Sequence, residues 1–208
     1  MDSRGGQPRV WVLRHGETEW SRSGQHTGRT DLPLTAEGER QAAEVGKLAR
    51  SLCGDQGFDL VLCSPMLRAR RTAELAGLCA ADGGARQFEL DPDLCEWDYG
   101  ELEGRVTQEI RGQYPGWSIW DGPWPGGETA TSVSERADRV IARVLGSAAS
   151  TVALVGHGHF SRALAGKWVG AAIGVGRWLA LDTASVSELG WSRDERVLRR
   201  WNLTAPPA

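Results

Sequence analysis

Three short apolar segments constrain the fold of this chain more than any other sequence feature. Residues 10–13, 60–63 and 152–155 are each typical of a strand buried on both faces of a parallel sheet. Stretches with helical periodicity lie between them. Strands that alternate with helices of ten or more residues favour an α/β fold, a three-layer sandwich whose mostly parallel central sheet carries helices on both faces.

Turn and cap residues place the other elements. Thr35 is a candidate N-cap, and Ser64-Pro65 supplies a second N-cap for a helix that runs to about Ala81. Further helices are predicted at about 131–148 and 160–169, and strands at 186–191 and 197–201. Residues 114–128 form a long loop rich in Pro, Gly and Trp. We find no linker or repeat, so we predict one domain over 1–208, with flexible ends at about 1–8 and 204–208.

The charge balance excludes some classes of partner. The 24 basic and 27 acidic residues give a net charge of −3, which argues against binding of nucleic acid or of a membrane surface. No uncharged apolar segment reaches the length of about 18 residues that a membrane-spanning helix needs. The four cysteines form no C-x-x-C pair and are expected to be reduced. These features predict a cytoplasmic protein.

Polar residues follow each of the three buried segments, and in parallel sheets ligands bind beyond the carboxyl ends of the strands. Arg14-His15-Gly16 follows the first segment, Arg68 lies near the start of the helix after the second, and His157 follows the third. A neutral imidazole is a competent nucleophile toward phosphorus, and an arginine beside it can bind phosphoryl oxygens. The alternative reading is that the same residues are satisfied by hydrogen bonds within polar loops.

Three other positions bear on the chemistry. Glu96 is a candidate general acid, which a phosphoester leaving group requires. His159 is a second candidate to contact a substrate. His157-x-His159 resembles a chelating pair, but the sequence holds no H-E-x-x-H motif and no carboxylate at metal-ligand spacing, so we predict no metal.

Five motifs together resemble the histidine phosphatase superfamily, the phosphoglycerate mutase-like group. They appear in the family's order at 14–18 (RHGET), 20–35 (beginning WSRSG), 64–73 (SPMLRARRTA), 96–104 (EWDYGELEG) and 156–159 (GHGH). The resemblance implies that His15 becomes a phosphohistidine and that Arg14, Arg68 and His157 bind the phosphate. It also implies that Glu96 donates a proton and later activates water, and that no metal or other cofactor takes part.

Within that family, the chain looks most like bacterial acid phosphatases and fungal sugar-bisphosphatases. Ser21 stands where mutases usually carry Asn, and Thr107 stands where they place a Lys that holds the substrate carboxylate. The span between Glu96 and His157 is also too short for the mutase insertion. We therefore expect a metal-independent hydrolase of a small phosphomonoester, such as a sugar phosphate, with an acidic pH optimum because the acid must keep its proton until transfer. A phosphoglycerate mutase and a non-catalytic phospho-ligand binding module are the alternatives.

The remaining expectations concern the walls of the site and the assembly. Further contacts to substrate or phosphate are expected from Ser21, Thr27, Gly28, Tyr99 and His159. The rings of Trp117, Trp120 and Trp124 either form a substrate lid or wall, or pack the loop down on itself. Five other tryptophans fall in predicted elements and are expected in the core: Trp11, Trp168, Trp178, Trp191 and Trp201. Relatives often pair, so a homodimer is possible.

Overall fold

A computed structural model describes residues 7–54, 57–78 and 88–206. One six-stranded sheet has the order β3-β2-β4-β1-β5-β6. The strands are β1 (Arg9–Arg14), β2 (Leu60–Cys63), β3 (Glu89–Leu90), β4 (Thr151–Gly156), β5 (Ser185–Ser192) and β6 (Glu195–Thr204). The first four strands are parallel and the last two pair antiparallel to their neighbours. The mostly parallel α/β sheet is therefore confirmed.

Helices cover both faces of the sheet. They are α1 (Glu19–Ser23), α2 (Ala36–Cys53), α3 (Leu67–Leu75), α4 (Thr107–Gln113), α5 (Ala130–Gly146) and α6 (Gly158–Trp168), with 3-10 helices at Pro92–Leu94, Gly100–Leu102 and Ile173–Trp178. Alternate side chains of β1 enter two different cores, as the two-residue period of a strand requires. Val10 and Val12 pack with α5 and α6, whereas Trp11 and Leu13 pack with α2 and α3. No helix in the described part of the chain is long and apolar enough to cross a membrane.

The two predicted N-caps have different outcomes. Thr35 caps α2 as expected, because its hydroxyl accepts a hydrogen bond of 3.0 Å from the backbone N–H of Gly38. Ser64 does not cap α3, whose N-cap is Met66 without a side-chain hydrogen bond. The hydroxyl of Ser64 is instead bonded to a histidine ring in the site described below. Helix α3 ends at Leu75 rather than near Ala81, which lies with the rest of 79–87 outside the described residues.

The chain ends and the shortest elements also differ from the sequence predictions. Thr204 was expected in a flexible end, but it is the last residue of β6 and pairs with Ser185. Residues 1–6 and 207–208 lie outside the described residues. Strand β3 and helices α1 and α4 were not predicted, because they have two, five and seven residues and so carry little periodicity.

Trp178 is the tryptophan that the sequence misplaced. Trp11 and Trp168 are fully buried, and Trp191 and Trp201 are half-buried against the core, but the side chain of Trp178 is 78% exposed. It ends the 3-10 helix Ile173–Trp178, in which residues three apart lie above one another. Ile173 and Gly176 occupy the inward row, so Val175 and Trp178 fall on the outward row.

Candidate active site

The carboxyl ends of three adjacent strands define one edge of the sheet. Strands β2, β4 and β1 are neighbours and end at Cys63, Gly156 and Arg14, so the loops that follow them converge. A cavity of about 160 Å³ opens there. Gln25, His26 and Arg162 contribute to its lining. So do seven residues that were singled out in the sequence: Arg14, His15, Ser21, Thr27, Glu96, Tyr99 and His159.

His15 is held by its backbone and by one ring nitrogen. Its N–H donates to Gly156 O at 3.0 Å, and its carbonyl accepts from the N–H of Ala184 at 2.9 Å. Nδ1 lies 2.7 Å from Gly16 O, which only accepts, so Nδ1 carries the proton and Nε2 keeps its lone pair. Burial, followed by the charges of Arg68 and Arg14, lowers the pKa of His15 well below its usual value. His15 is therefore a neutral imidazole whose Nε2 is available as a nucleophile.

Gly16 gives the nucleophile loop a close backbone contact with helix α2. A Cβ on Gly16 would lie 2.2 Å from Gly38 O, and a Cβ on Gly38 would lie 2.1 Å from Glu17 O. In the structure the two glycines leave room for each other. The N–H of Gly16 donates to the hydroxyl of Thr72 on α3 at 3.0 Å.

His157 and Arg68 form a fully buried pair behind His15. The rings of His15 and His157 lie edge to face, with centroids 5.2 Å apart. Arg68 Nε donates to His157 Nδ1 at 3.2 Å, and His157 Nε2 lies 2.8 Å from Ser64 Oγ. Because an arginine Nε–H can only donate, Nδ1 must accept, so a neutral His157 carries its proton on Nε2 and donates it to Ser64. Burial, and next the charge of Arg68, lowers the pKa of His157 well below its usual value.

Arg68 also fixes the loop that carries Thr27 and Gly28. Its terminal nitrogens donate to the carbonyls of Thr27, Gly28 and Thr30 at 3.2, 3.0 and 3.0 Å. Neither Arg68 nor His157 is among the described residues that line the 160 Å³ cavity. The structure thus places both directly behind the cavity wall, where Arg68 holds one of the loops that shape it.

Two other arginines line the cavity. Arg14 donates through Nη1 to Leu181 O at 2.5 Å, while its buried Nε has no hydrogen-bond partner among the described residues. Arg162 donates through Nε to Gly176 O at 2.9 Å and lies over the ring of Trp120. Burial lowers the pKa of both guanidinium groups, but arginine starts so high that both remain charged. A cavity with two cations and an unpaired buried donor is suited to an anion.

Glu96 faces the cavity from the loop between the first two 3-10 helices. Its Oε1 accepts from the backbone N–H groups of Trp97 and Phe160 at 2.9 and 2.7 Å, and Oε2 accepts from the N–H of His159 at 3.0 Å. Two of these donors belong to the first turn of α6, where a carboxylate is favoured. The position of the carboxyl group is therefore fixed by three backbone donors.

Another wall of the cavity consists of neutral rings. The hydroxyl of Tyr99 lies 2.6 Å from His159 Nδ1, and the ring of His26 lies 4.7 Å from that of Tyr99. Burial lowers the pKa of His26 to about 4, lowers that of His159 well below its usual value and raises that of Tyr99 well above its usual value. Near neutral pH these three groups therefore carry no charge and act as hydrogen-bonding groups.

The smaller residues predicted to contact phosphate are placed differently. Ser21 and Thr27 line the cavity, but the hydroxyl of Ser21 donates to Thr18 O at 3.0 Å and that of Thr27 donates to Gln25 O at 3.3 Å. Gly28 is not among the described residues that line this cavity. Its N–H donates to the carboxylate of Glu103 at 2.9 Å. A Cβ there would lie 2.6 Å from Trp97 O, so Gly28 allows two loops to approach each other.

The tryptophan loop packs on itself. The indole N–H groups of Trp117 and Trp124 donate to Pro123 O and Ile119 O within the loop, at 2.9 and 2.7 Å. Trp117 and Trp120 are buried, and their rings lie 5.3 Å from His26 and 5.6 Å from His159. None of the three rings is among the described residues that line the cavity. Trp117 and Trp120 therefore support the neutral wall from behind.

Ser64, Arg162 and His26 are among the residues of this site that sequence reasoning missed. Ser64 was read only as a helix cap. Arg162 lies three residues after His159 on α6, a spacing that places both side chains on one helix face and could have identified it. His26 precedes Thr27, but nothing in the sequence indicated that its ring would pack on Tyr99. No group of three or more His, Cys, Asp or Glu residues within the described ranges is arranged to hold a metal ion.

Comparisons with known proteins show the family to which the chain belongs. The family model described as histidine phosphatase superfamily (branch 1) matches residues 10–204. The chain belongs to the histidine phosphatase superfamily. The superfamily and the relatives below identify it as a phosphatase of small phosphorylated metabolites.

An acid phosphatase of Mycobacterium tuberculosis is 41% identical over 202 residues, covering 96% of this chain and 94% of that protein. A sedoheptulose 1,7-bisphosphatase of Saccharomyces cerevisiae is 37% identical, covering 78% of this chain and 68% of that protein. A probable phosphoglycerate mutase, GpmB of Salmonella paratyphi B, is 33% identical, covering 92% and 89%. The solved structure of a Mycobacterium tuberculosis open reading frame product, 39% identical, superposes with a TM-score of 0.87 over 96% of this chain and 99% of that one.

Proposed function

We propose that this chain hydrolyses phosphomonoesters through a phosphohistidine at His15, without a metal ion. The observation that carries the proposal is the ring of His15, whose Nδ1 proton is committed to Gly16 O, so that Nε2 keeps its lone pair. Arg14 lines the same cavity, and its Nε has no hydrogen-bond partner among the described residues. A phosphoryl group in the cavity would satisfy that donor. The charges of Arg14 and Arg162 would neutralise its oxygens, which is the principal requirement in phosphoryl transfer.

The reaction proceeds in two steps, transfer of the phosphoryl group to His15 and its hydrolysis. In the first step, Nε2 of His15 bonds to phosphorus as the ester P–O bond breaks, and the leaving oxygen takes the proton of Glu96. In the second step, a water oxygen bonds to phosphorus, the N–P bond breaks and Glu96 takes the proton of the water. Phosphate leaves, and His15 and Glu96 return to their starting states. The three backbone donors on Glu96 hold its carboxyl group in place for both transfers.

Positioning residues complete the proposed site. Arg68 and His157 support the loop and the nucleophile from behind, which differs from the direct phosphate contact that the family resemblance implies for them. Because Glu96 must be protonated when the substrate binds, activity should fall as the pH rises above the acidic range. The substrate is a small phosphorylated metabolite such as a sugar phosphate.

Trapping the intermediate tests the proposal. Wild-type protein mixed with ³²P-labelled substrate and quenched in alkali should carry acid-labile label on His15, and His15→Ala should carry none and release no phosphate. Prolonged treatment with a chelator should leave the wild-type rate unchanged. Phosphate release by His15→Ala, or loss of activity after chelation, would refute the mechanism.

The same assay separates the alternatives. A binding module would retain phosphate affinity without turnover in the wild-type protein. A phosphoglycerate mutase would exchange phosphoglycerate isomers faster than it releases phosphate, and would depend on a bisphosphorylated primer. We favour hydrolysis because a mutase must shield its phosphohistidine from water, and this chain lacks the insertion that would cover the site.

A further inference from the structure

The guanidinium of Arg14 depends on one backbone carbonyl for its position. Its Nη1 donates to Leu181 O at 2.5 Å, and this is the one hydrogen bond that the group makes among the described residues. A Cβ on Gly158 would lie 3.3 Å from Arg14 Cζ, so the first residue of α6 flanks the group without bonding to it. The place of this charge in the cavity therefore follows the place of Leu181 O.

Leu181 belongs to residues 180–184, the irregular segment that precedes β5. At the end of this segment the N–H of Ala184 donates to His15 O at 2.9 Å. Ala184 is buried and has a φ of +49°, which residues other than glycine rarely adopt. Such a conformation persists only where the surrounding contacts impose it. The 180–184 segment is therefore held in one conformation against both Arg14 and His15.

Side chains of the two antiparallel strands fix the 180–184 segment. The indole N–H of Trp201, on the edge strand β6, donates to Ala180 O at 2.5 Å. The hydroxyl of Ser185, fully buried at the start of β5, donates to Asp182 O at 2.7 Å. These two carbonyls come directly before and directly after that of Leu181. The carbonyl that binds the guanidinium therefore lies between two fixed points.

We propose that Trp201 is a positioning residue for Arg14, and that its indole N–H raises the affinity of the site for phosphate from the edge strand of the sheet. The proposal rests on the hydrolase function proposed above, which assigns Arg14 to the phosphoryl oxygens. Trp201 is not among the described residues that line the cavity, so it acts through the 180–184 segment. A misplacement of about 1 Å at a group that binds the substrate, even one caused by a distant substitution, is enough to lower activity.

Trp201→Phe tests the proposal, because it keeps an aromatic ring and removes the indole N–H. We expect this variant to bind inorganic phosphate about fivefold more weakly than the wild type, the factor that corresponds to the net worth of one neutral hydrogen bond. Calorimetry gives the affinity directly.

Trp191→Phe is the matched control. Trp191 is also half-buried against the core, but its indole N–H donates at 3.2 Å to Pro8 O, just before β1. This variant loses the same type of hydrogen bond without touching the 180–184 segment. Its affinity for phosphate should not change.

A second measurement follows Arg14 itself. In protein labelled with ¹⁵N at arginine, the Nε–H resonance of Arg14 can be assigned by its absence from Arg14→Lys. This resonance should shift in Trp201→Phe and keep its position in Trp191→Phe. A tryptophan that only stabilised the fold would leave it unchanged in the folded protein. Ser185→Ala removes the bond to Asp182 O and should shift the same resonance, so it decides the outcome if Trp201→Phe does not fold.

The possible results separate the two proposals. If Trp201→Phe leaves either the Arg14 resonance or the phosphate affinity unchanged, Trp201 is not a positioning residue. Equal weakening of phosphate binding in Trp201→Phe and Trp191→Phe also refutes the inference. Failure of the wild-type protein to hydrolyse ethyl phosphate would refute the proposed function instead, and the phosphate affinities and the resonance would still decide the role of Trp201.

Discussion

Replacement of Ser64 by alanine tests the tautomer that the structure assigns to His157. The hydroxyl of Ser64 accepts the Nε2 proton at 2.8 Å in a fully buried position. In Ser64→Ala the ring cannot move its proton to Nδ1, because Arg68 Nε–H faces that atom at 3.2 Å. The variant therefore has a buried N–H without an acceptor, which costs about 1–3 kcal/mol. We expect the free energy of unfolding to fall by about that amount.

Part of the effect should reach the phosphate site. Arg68 holds the loop at Thr27 and Gly28, so a displaced His157 ring should weaken binding of inorganic phosphate. A loss of about 1 kcal/mol corresponds to roughly a fivefold higher inhibition constant. Ser187→Ala is the matched control, because Ser187 is also fully buried and its hydroxyl accepts a single backbone N–H, that of Asn202, at 3.0 Å. The Ser187→Ala variant should lose about as much free energy of unfolding as Ser64→Ala, but its affinity for phosphate should not change.

Two measurements decide the outcome. Urea denaturation gives the stability of both serine variants, and ¹⁵N NMR of the imidazole rings reports which nitrogen carries the proton. At neutral pH the wild-type ring of His157 should be neutral and protonated on Nε2. An imidazolium, or a proton on Nδ1, would refute the assignment whatever the kinetics show. Unchanged phosphate affinity in Ser64→Ala would show that the ring is held by Arg68 alone.

Two further predictions concern the acid and the buried rings. Glu96→Gln places an amide N–H against a backbone donor and removes the proton donor, so kcat for ethyl phosphate should fall by about 10²–10⁴-fold. The fall should be much smaller for p-nitrophenyl phosphate, whose leaving group needs no proton, and equal losses would exclude Glu96 as the acid. The pKa of His26 falls from 6.5 to about 4 on folding, so the unfolded chain binds more protons between these values. Above pH 6.5 the free energy of unfolding is therefore about 3 kcal/mol higher than it is below pH 4, and this difference is lost as the pH falls through that range. In His26→Gln the free energy of unfolding, measured by urea denaturation, should depend less steeply on pH.

The sequence predicted the elements that bury apolar residues regularly. Strands β1, β2 and β4 and the cap at Thr35 were read correctly, because strong periodicity and local capping decide these features. The two-residue strand β3 was missed because its pairing with β2 depends on residues distant in the chain. Trp178 was placed wrongly because a 3-10 helix has a period of three, which six residues cannot display clearly.

In the site, too, the sequence predicted what local residues decide and missed what depends on residues distant in the chain. Arg14, His15, Glu96 and Tyr99 were expected in one site, and the structure brings them to one cavity. Sequence could not show that the hydroxyl of Ser64 is directed at an imidazole rather than at a helix N–H. That choice depends on the approach of β2 to β4, which brings a residue 93 positions away within reach.

The contact between Gly16 and Gly38 joins the nucleophile loop to the first turn of α2. A methyl group on either glycine would lie within 2.2 Å of a backbone oxygen of the facing segment. Neither glycine can therefore be replaced by alanine unless the loop after β1 and helix α2 move apart. Once one substitution has separated them, the second meets a gap already opened. The two changes should therefore be strongly non-additive, with the double variant little worse than either single one. A chain that has already lost one of these glycines therefore gains little by keeping the other.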